Sequence, residues 1–320
     1  MSRVVITGKV PEPAIEALRE AHEVDMHDAA QPITREALLE KVRGADAVIS
    51  LLTEKVDAEL LEAAGSQLQV VANVAVGYNN IDVKACAERG VVATNTPDVL
   101  TEATADIAFG LILMATRRLG EGERVIRSQS PWTWGMFYML GSGLQGKTLG
   151  VVGLGAIGAA TARRAKAFGM QIVYSSRNAC DPALAEELGA ARLDMDEMLS
   201  TADIISLHCP YSDATHHLMG AEQFGLMKET AYVINTARGP IVDEAALVDA
   251  LNDGQIAGAG LDVFEKEPTV HEGLLALDNV ALVPHLGSAT IETRTAMAQL
   301  AADNVMAILD GNTPLTPVKT

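Results

Sequence analysis

The chain has 320 residues, 48% of them hydrophobic and 21% charged, enough apolar material for two domains with their own cores. Its formal net charge of −18 repels nucleic acid and anionic membrane, so neither is expected as a partner. The longest apolar run, IAFGLILMA at 107–115, is too short to span a bilayer, and Cys86, Cys180 and Cys209 are too few and too scattered for a disulfide framework or a zinc site.

The N-terminus begins directly with a strand-like run, VVIT at 4–7, and lacks the pattern of a signal peptide, so a cytoplasmic protein is expected. Further strand-like runs follow at 46–52, 68–74 and 90–95. Helical stretches lie at 11–20, 34–43, 57–64 and 82–88. Strands alternating with helices predict a parallel sheet covered on both faces. Residues 101–118 read as one long apolar helix, with Thr101 as N-cap, Arg117 and Arg118 complementing the C-terminal dipole and Gly120 closing it. A helix this apolar is expected to be buried between domains or subunits.

A loop at 131–138, PWTWGMFY, then gathers a third of the chain's aromatic residues. Two readings are open. Trp132 and Trp134 anchor the loop to its own domain, or they form part of a dimer contact and line the neighbour's pocket.

A second alternating unit begins at Thr148, with strands at 150–153, 171–176, 203–209, 231–237, 258–264 and 280–285. It opens on LGVVGLGAIG at 149–158, where Gly153, Gly155 and Gly158 have the G-x-G-x-x-G spacing between a strand and a helix. In such a turn the first glycine allows the bend, the second lets backbone approach a pyrophosphate, and the third lets helix and strand pack closely. The pyrophosphate is expected at the helix N-terminus near Ala156 and Ile157.

About 20 residues on, an NAD site places Asp or Glu against the ribose 2′-hydroxyl. Here the strand ends Ser175-Ser176-Arg177, and Asp181 comes several residues late. Two hydroxyls and a guanidinium suit a 2′-phosphate, so NADP(H) is expected over NAD(H).

Three later strands each end on a reactive residue: Arg238 after one, Asp262 with Glu267 after the next, and His285 after the last. Ligands of doubly wound sheets gather at the carboxyl ends of strands, so these residues are expected to converge on the cofactor. Together they supply the parts needed to reduce a 2-keto acid. Arg238 clamps the carboxylate, His285 donates the proton, and Glu267 orients the imidazole and raises its pKa. Each signal is weak alone: Arg238 also fits an ion pair, Glu267 a solvated acidic loop and His285 a loop hydrogen bond. The adjacent His216 and His217 are placed in a polar loop after Asp213; as a pair on a strand-like segment they would face opposite ways, which argues against a joint metal site. No metal is expected.

The chain resembles the D-isomer-specific 2-hydroxyacid dehydrogenases. The likeness is carried by VANVAVGYNNIDV (71–83), NTPDVLTEATADIA (95–108), the glycine turn, NTARGPIVDEAAL (235–247), GAGLDVFEKEP (258–268) and PHLGSAT (284–290). Within the family it is most similar to the glyoxylate/hydroxypyruvate reductases.

The resemblance implies two Rossmann-like or flavodoxin-like domains with an active-site cleft between them. Residues 1–99 with 288–320 would bind substrate, and the inserted 100–287 would bind dinucleotide. It implies Arg238, Glu267 and His285 as catalytic residues. Val76 and Gly77 would bind the substrate carboxylate through backbone N–H groups, beside Arg238 and His285. The cofactor set would comprise Gly153, Leu154, Gly155, Ala156, Ile157 and Gly158 of the turn, then Ser175, Ser176 and Arg177. Cys209, Pro210, Thr236, Ala237, Arg238, His285 and Gly287 complete it, with Asp262 holding the nicotinamide carboxamide. Cys209 departs from the Thr or Val of many relatives and is read as a small buried residue without a redox role.

The implied activity is NADPH-dependent reduction of glyoxylate or hydroxypyruvate by a homodimer paired through the dinucleotide domain. The alternatives are another D-specific dehydrogenase acting on phosphoglycerate or phosphite, or a dinucleotide-sensing regulator of the same fold. A phosphorylated substrate would need extra basic residues, and 71–80 has none.

Overall fold

The computed structural model describes residues 1–29 and 31–319. The chain divides into two compact units, Met1–Leu100 with Ser288–Thr320, and Thr101–Gly287.

The first unit is a five-stranded parallel sheet: β1 (Arg3–Ile6), β2 (Glu23–Met26), β3 (Ala47–Ser50), β4 (Val70–Asn73) and β5 (Val92–Thr94), in the order β2-β1-β3-β4-β5. Its strands alternate between two apolar layers, as a period of two requires. Val5, Val48 and Val71 pack on Leu38, Leu60 and Leu61 of the helices on one face. Val4, Ile6, Ile49 and Val70 pack on the other face against Leu18 and against Ala298, Ala301 and Val305. Those last three lie on the helix Ile291–Leu309, which returns the chain to this unit. The helices start where short oxygen-bearing side chains can accept first-turn amides: Thr34 from Ala37, Asp57 from Leu60 and Asp82 from Ala85.

The second unit is a seven-stranded parallel sheet: β6 (Thr148–Val152), β7 (Gln171–Ser175), β8 (Ala191–Arg192), β9 (Ile204–Leu207), β10 (Tyr232–Asn235), β11 (Gly258–Leu261) and β12 (Val280–Leu282). The order is β12-β11-β10-β9-β6-β7-β8. It reverses direction between β6 and β9, the place where doubly wound sheets bind ligands. Again each face carries its own core. Leu149, Val151 and Ile172 meet Phe109, Ile112 and Ala162 on one side, and Ile205, Val233 and Leu261 meet Met198, Phe224 and Leu247 on the other.

Several expectations need correction. The apolar helix runs Thr101–Thr116, with Thr101 already helical. It stops because Arg118 takes a left-handed φ of 54°, held by two hydrogen bonds to Glu121. Gly120 therefore belongs to a second helix, Leu119–Arg127. The buried face of the long helix packs on the sheet and helix Ala156–Ala167 of its own unit. Strands β2 and β8 are edge strands of mixed polarity that the apolar pattern did not reveal. The His216–His217 pair lies in a loop, with His217 at a φ of 49°, and the two rings stack 4.0 Å apart instead of facing opposite ways. Among the described residues, no helix is long and apolar enough to cross a membrane.

Candidate active site

The glycine turn links β6 to the helix Ala156–Ala167. Gly153 has a φ of 91°, and a Cβ there would lie 2.9 Å from the Cys209 nitrogen. A Cβ on Gly158 would lie 2.4 Å from the Gly153 carbonyl oxygen. These two glycines are needed for the bend and for close packing. Gly155 is different: a Cβ there would meet nothing within 4 Å. Gly155 also precedes the helix without a side-chain cap, leaving first-turn amides for an anion. The open space over Gly155 and the uncapped helix start fit a dinucleotide pyrophosphate.

At the tip of β7, Ser175 accepts the Gly153 amide through its carbonyl at 2.9 Å. The Ser176 hydroxyl donates to the Asn178 carbonyl at 2.6 Å. Arg192, which the sequence did not single out, donates to the carbonyls of Ser176 and Arg177 at 2.8 and 3.0 Å and braces this turn. Asp181 is exposed and caps the helix Pro182–Leu188 by accepting the Ala183 amide at 2.8 Å.

Beyond β9, burial pushes the Cys209 thiol up to about 11, so it stays protonated. The hydroxyl of Thr236, at the end of β10, is buried and has no hydrogen-bond partner among the described residues. That orphaned group lies at a sheet end where a ligand would satisfy it. Among the described residues, no group of His, Cys, Asp and Glu is placed to hold a metal ion.

The reactive residues are brought together at the ends of β10, β11 and β12. His285 Nδ1 and Glu267 Oε2 are 2.8 Å apart, and the side chains are about a third exposed, at 34% and 36%. Burial raises the Glu267 pKa, but the hydrogen bond and charge of His285, the Phe264 amide and the Arg238 charge outweigh it. The carboxyl is held below its ordinary range. Arg238 is lowered from its usual value by burial, against the opposing field of Glu267. It stays a cation, and its Nη1 donates to the Ala237 carbonyl at 2.7 Å.

Supporting contacts hold these three in place, and they are visible only in three dimensions. Asn235 is fully buried. Its Oδ1 accepts the Ala237 amide at 3.0 Å and its Nδ2 donates to the Arg238 carbonyl at 2.9 Å. Glu267 also accepts the Phe264 amide at 3.0 Å, and the next amide, Glu265, donates to buried Glu244 at 2.9 Å. The Glu265 side chain pairs with His217.

Asp262 accepts the amides of Leu286 and Gly287 at 2.5 and 2.9 Å, while its carbonyl accepts the His285 amide. His285 itself has a φ of 51°, a left-handed conformation sustained by this grip. Asp262 therefore braces the His285 loop, a task the sequence did not reveal. Thr104 adds a hydrogen bond to the Gly287 carbonyl at 3.1 Å.

Residues 109–287 match the model of the family described as D-isomer specific 2-hydroxyacid dehydrogenase, NAD binding domain. The chain belongs to this family. It is 49% identical to the glyoxylate reductase of Thermococcus onnurineus, over 99% of this chain and 95% of that protein. Among solved structures, a glyoxylate reductase from Paecilomyes thermophila matches with a TM-score of 0.90 and 34% identity, over 99% of this chain and 98% of that one. An NADPH-dependent glyoxylate/hydroxypyruvate reductase from Sinorhizobium meliloti, solved with NADP and malonate, matches with a TM-score of 0.85 and 37% identity, over 99% and 96%. Family membership makes the two parallel-sheet units those of a 2-hydroxyacid dehydrogenase, and the glycine turn that of its dinucleotide-binding domain.

Proposed function

We propose that the protein reduces small 2-keto acids, glyoxylate to glycolate and hydroxypyruvate to D-glycerate, with NADPH preferred over NADH. The observation that carries this reading is the His285–Glu267 pair at 2.8 Å in the same unit as the half-buried Arg238 cation. A bound nicotinamide dinucleotide supplies the hydride. The chain supplies the rest. Arg238 and the Val76 and Gly77 amides take the substrate carboxylate. Glu267 occupies Nδ1 of His285, so Nε2 is the atom that gives the proton to the carbonyl oxygen as it becomes a hydroxyl. Glu267 stays ionised beside the imidazole and fixes its orientation for the transfer.

In this reading the unit Met1–Leu100 with Ser288–Thr320 provides substrate contacts, and Thr101–Gly287 provides the dinucleotide site. Asp262 accepts the nicotinamide carboxamide in addition to its two backbone amides. Ser175, Ser176 and Arg177 receive the 2′-phosphate.

The protein works as a homodimer through the second unit. The helix Leu119–Arg127 has no buried residue, and Leu119, Ile126, Trp134 and Phe137 are exposed on it and the following loop. An apolar area of this kind fits a partner surface. A panel of 2-keto acids with NADPH and NADH, followed by nicotinamide absorbance, tests the assignment. Fastest turnover of glyoxylate or hydroxypyruvate with NADPH is expected. A strong NADH preference overturns the cofactor assignment, and inactivity on every 2-keto acid overturns the reaction.

A further inference from the structure

The loop that leaves β4 carries Val76 and Gly77, and its three successive carbonyls are all tied down. Ala75 O accepts the Thr96 amide at 2.8 Å. Val76 O accepts Asn95 Nδ2 at 2.8 Å, and Gly77 O accepts Asn73 Nδ2 at 2.9 Å. In a trans peptide the N–H points opposite to the C=O of the same plane. Anchoring these carbonyls therefore turns the amides of Val76, Gly77 and Tyr78 away from their anchors. Among the described residues those three amides have no hydrogen-bond partner. A run of unpaired, fixed amides is an anion-binding arrangement.

We propose that Asn95 and Asn73 are positioning residues that hold this peptide run ready for a carboxylate. The inference rests on the reading that the Val76 and Gly77 amides bind substrate. It adds which side chains set their orientation.

Both anchors are themselves fixed. Asn73 is fully buried; its Oδ1 accepts the Ser50 hydroxyl at 3.0 Å, and its Nδ2 also reaches Asn80 Oδ1 at 3.1 Å. Rotation of its amide would break all of these bonds. Asn95 is held through its backbone by Thr316, whose amide donates to Asn304 Oδ1 at 3.0 Å and whose hydroxyl donates to the Asn95 carbonyl at 2.6 Å. Asn304 is fully buried in the helix Ile291–Leu309. The C-terminal segment thus reaches the substrate loop by an Asn304–Thr316–Asn95–Val76 relay. Without these anchors the peptides would sample other orientations, and binding an anion would first have to select the right one.

The test is Asn95→Asp, which keeps the shape but sets a carboxylate against the Val76 carbonyl. Glyoxylate KM and the Kd of oxamate, a non-reducible 2-keto acid analogue, are expected to rise about tenfold or more, the size of a lost positioned hydrogen bond. kcat should change less than KM, and NADPH Kd and the melting temperature should stay near wild type. Asn95→Ala, without the repulsion, should give a smaller rise in the same two quantities. Wild-type oxamate and glyoxylate affinity in both variants overturns the proposal, as does a uniform loss of stability and cofactor binding. If the wild-type protein itself neither reduces glyoxylate nor binds oxamate, the parent reading fails and takes this one with it.

Discussion

Gly239 is the point at which the loops carrying Arg238 and Glu267 touch. A Cβ there would lie 1.9 Å from both the carbonyl carbon and the carbonyl oxygen of Phe264, and 2.4 Å from the Glu265 nitrogen. Ordinary contact begins at 3.4 Å, so Gly239→Ala must push the two backbones apart by about 1.5 Å. Neither side can yield by rotating a side chain, because the neighbour is main chain. The displaced segment holds Glu267 through the Phe264 amide, and Glu267 holds His285. Misplacement of about 1 Å in a catalytic group costs on the order of a hundredfold in rate. We therefore expect glyoxylate kcat/KM to fall at least about a hundredfold. Overpacking should cost about 1–3 kcal/mol of stability, a few degrees in melting temperature. NADPH affinity should fall less than kcat/KM, since the pyrophosphate turn follows β6 and lies outside the displaced segment. Steady-state kinetics, a thermal melt and a cofactor titration separate these effects. A Gly239→Ala enzyme with kcat/KM within about threefold of wild type would refute the claim that this contact sets the catalytic geometry.

Glu267→Gln should lower kcat by roughly 10- to 100-fold while sparing NADPH binding, because the imidazole loses its anionic partner but not its neighbour. The sign of the pH effect follows from the depressed Glu267 pKa. Its stabilising contribution is complete above the unfolded value near about 4.3 and is lost as pH falls through the lower folded value. The variant should lack that acid step in urea unfolding. His208 gives a second pH signature. Burial lowers its imidazole to about 4, and its Nε2 lies 2.8 Å from the Ser206 hydroxyl. The unfolded chain takes up a proton near about pH 6.5 while the folded one does not, so stability should fall by roughly 2 kcal/mol between pH 7 and 5. His208→Gln should flatten that slope; an unchanged slope would exclude His208 as its source. Arg177→Ala should raise the NADPH Kd about tenfold or more with NADH affinity nearly constant, and equal losses for both cofactors would speak against a 2′-phosphate contact.

The sequence made the chemistry more legible than its supports. The glycine spacing, the Ser-Ser-Arg tip and the strand-end Arg238, Glu267 and His285 are local patterns, and a local pattern survives in one dimension. Gly239 against Phe264, Asp262 against the Leu286 and Gly287 amides, and Asn95 against Val76 join segments about 19 to 25 residues apart without a marker in either. Strands β2 and β8 escaped because an edge strand needs only one paired side and tolerates polar residues. The stacked His216–His217 pair escaped because a positive φ at a non-glycine residue is set by its surroundings, here by the backbone bond to Pro240 and the contact with Glu265.

In the proposed reaction His285, held through Nδ1 by Glu267, supplies the proton to glyoxylate. The most direct test of this role is the rate of glyoxylate-dependent NADPH oxidation by His285→Ala, alongside its NADPH Kd. Turnover is expected to fall by at least about a thousandfold with cofactor affinity close to wild type. Turnover within about tenfold of wild type would contradict that role.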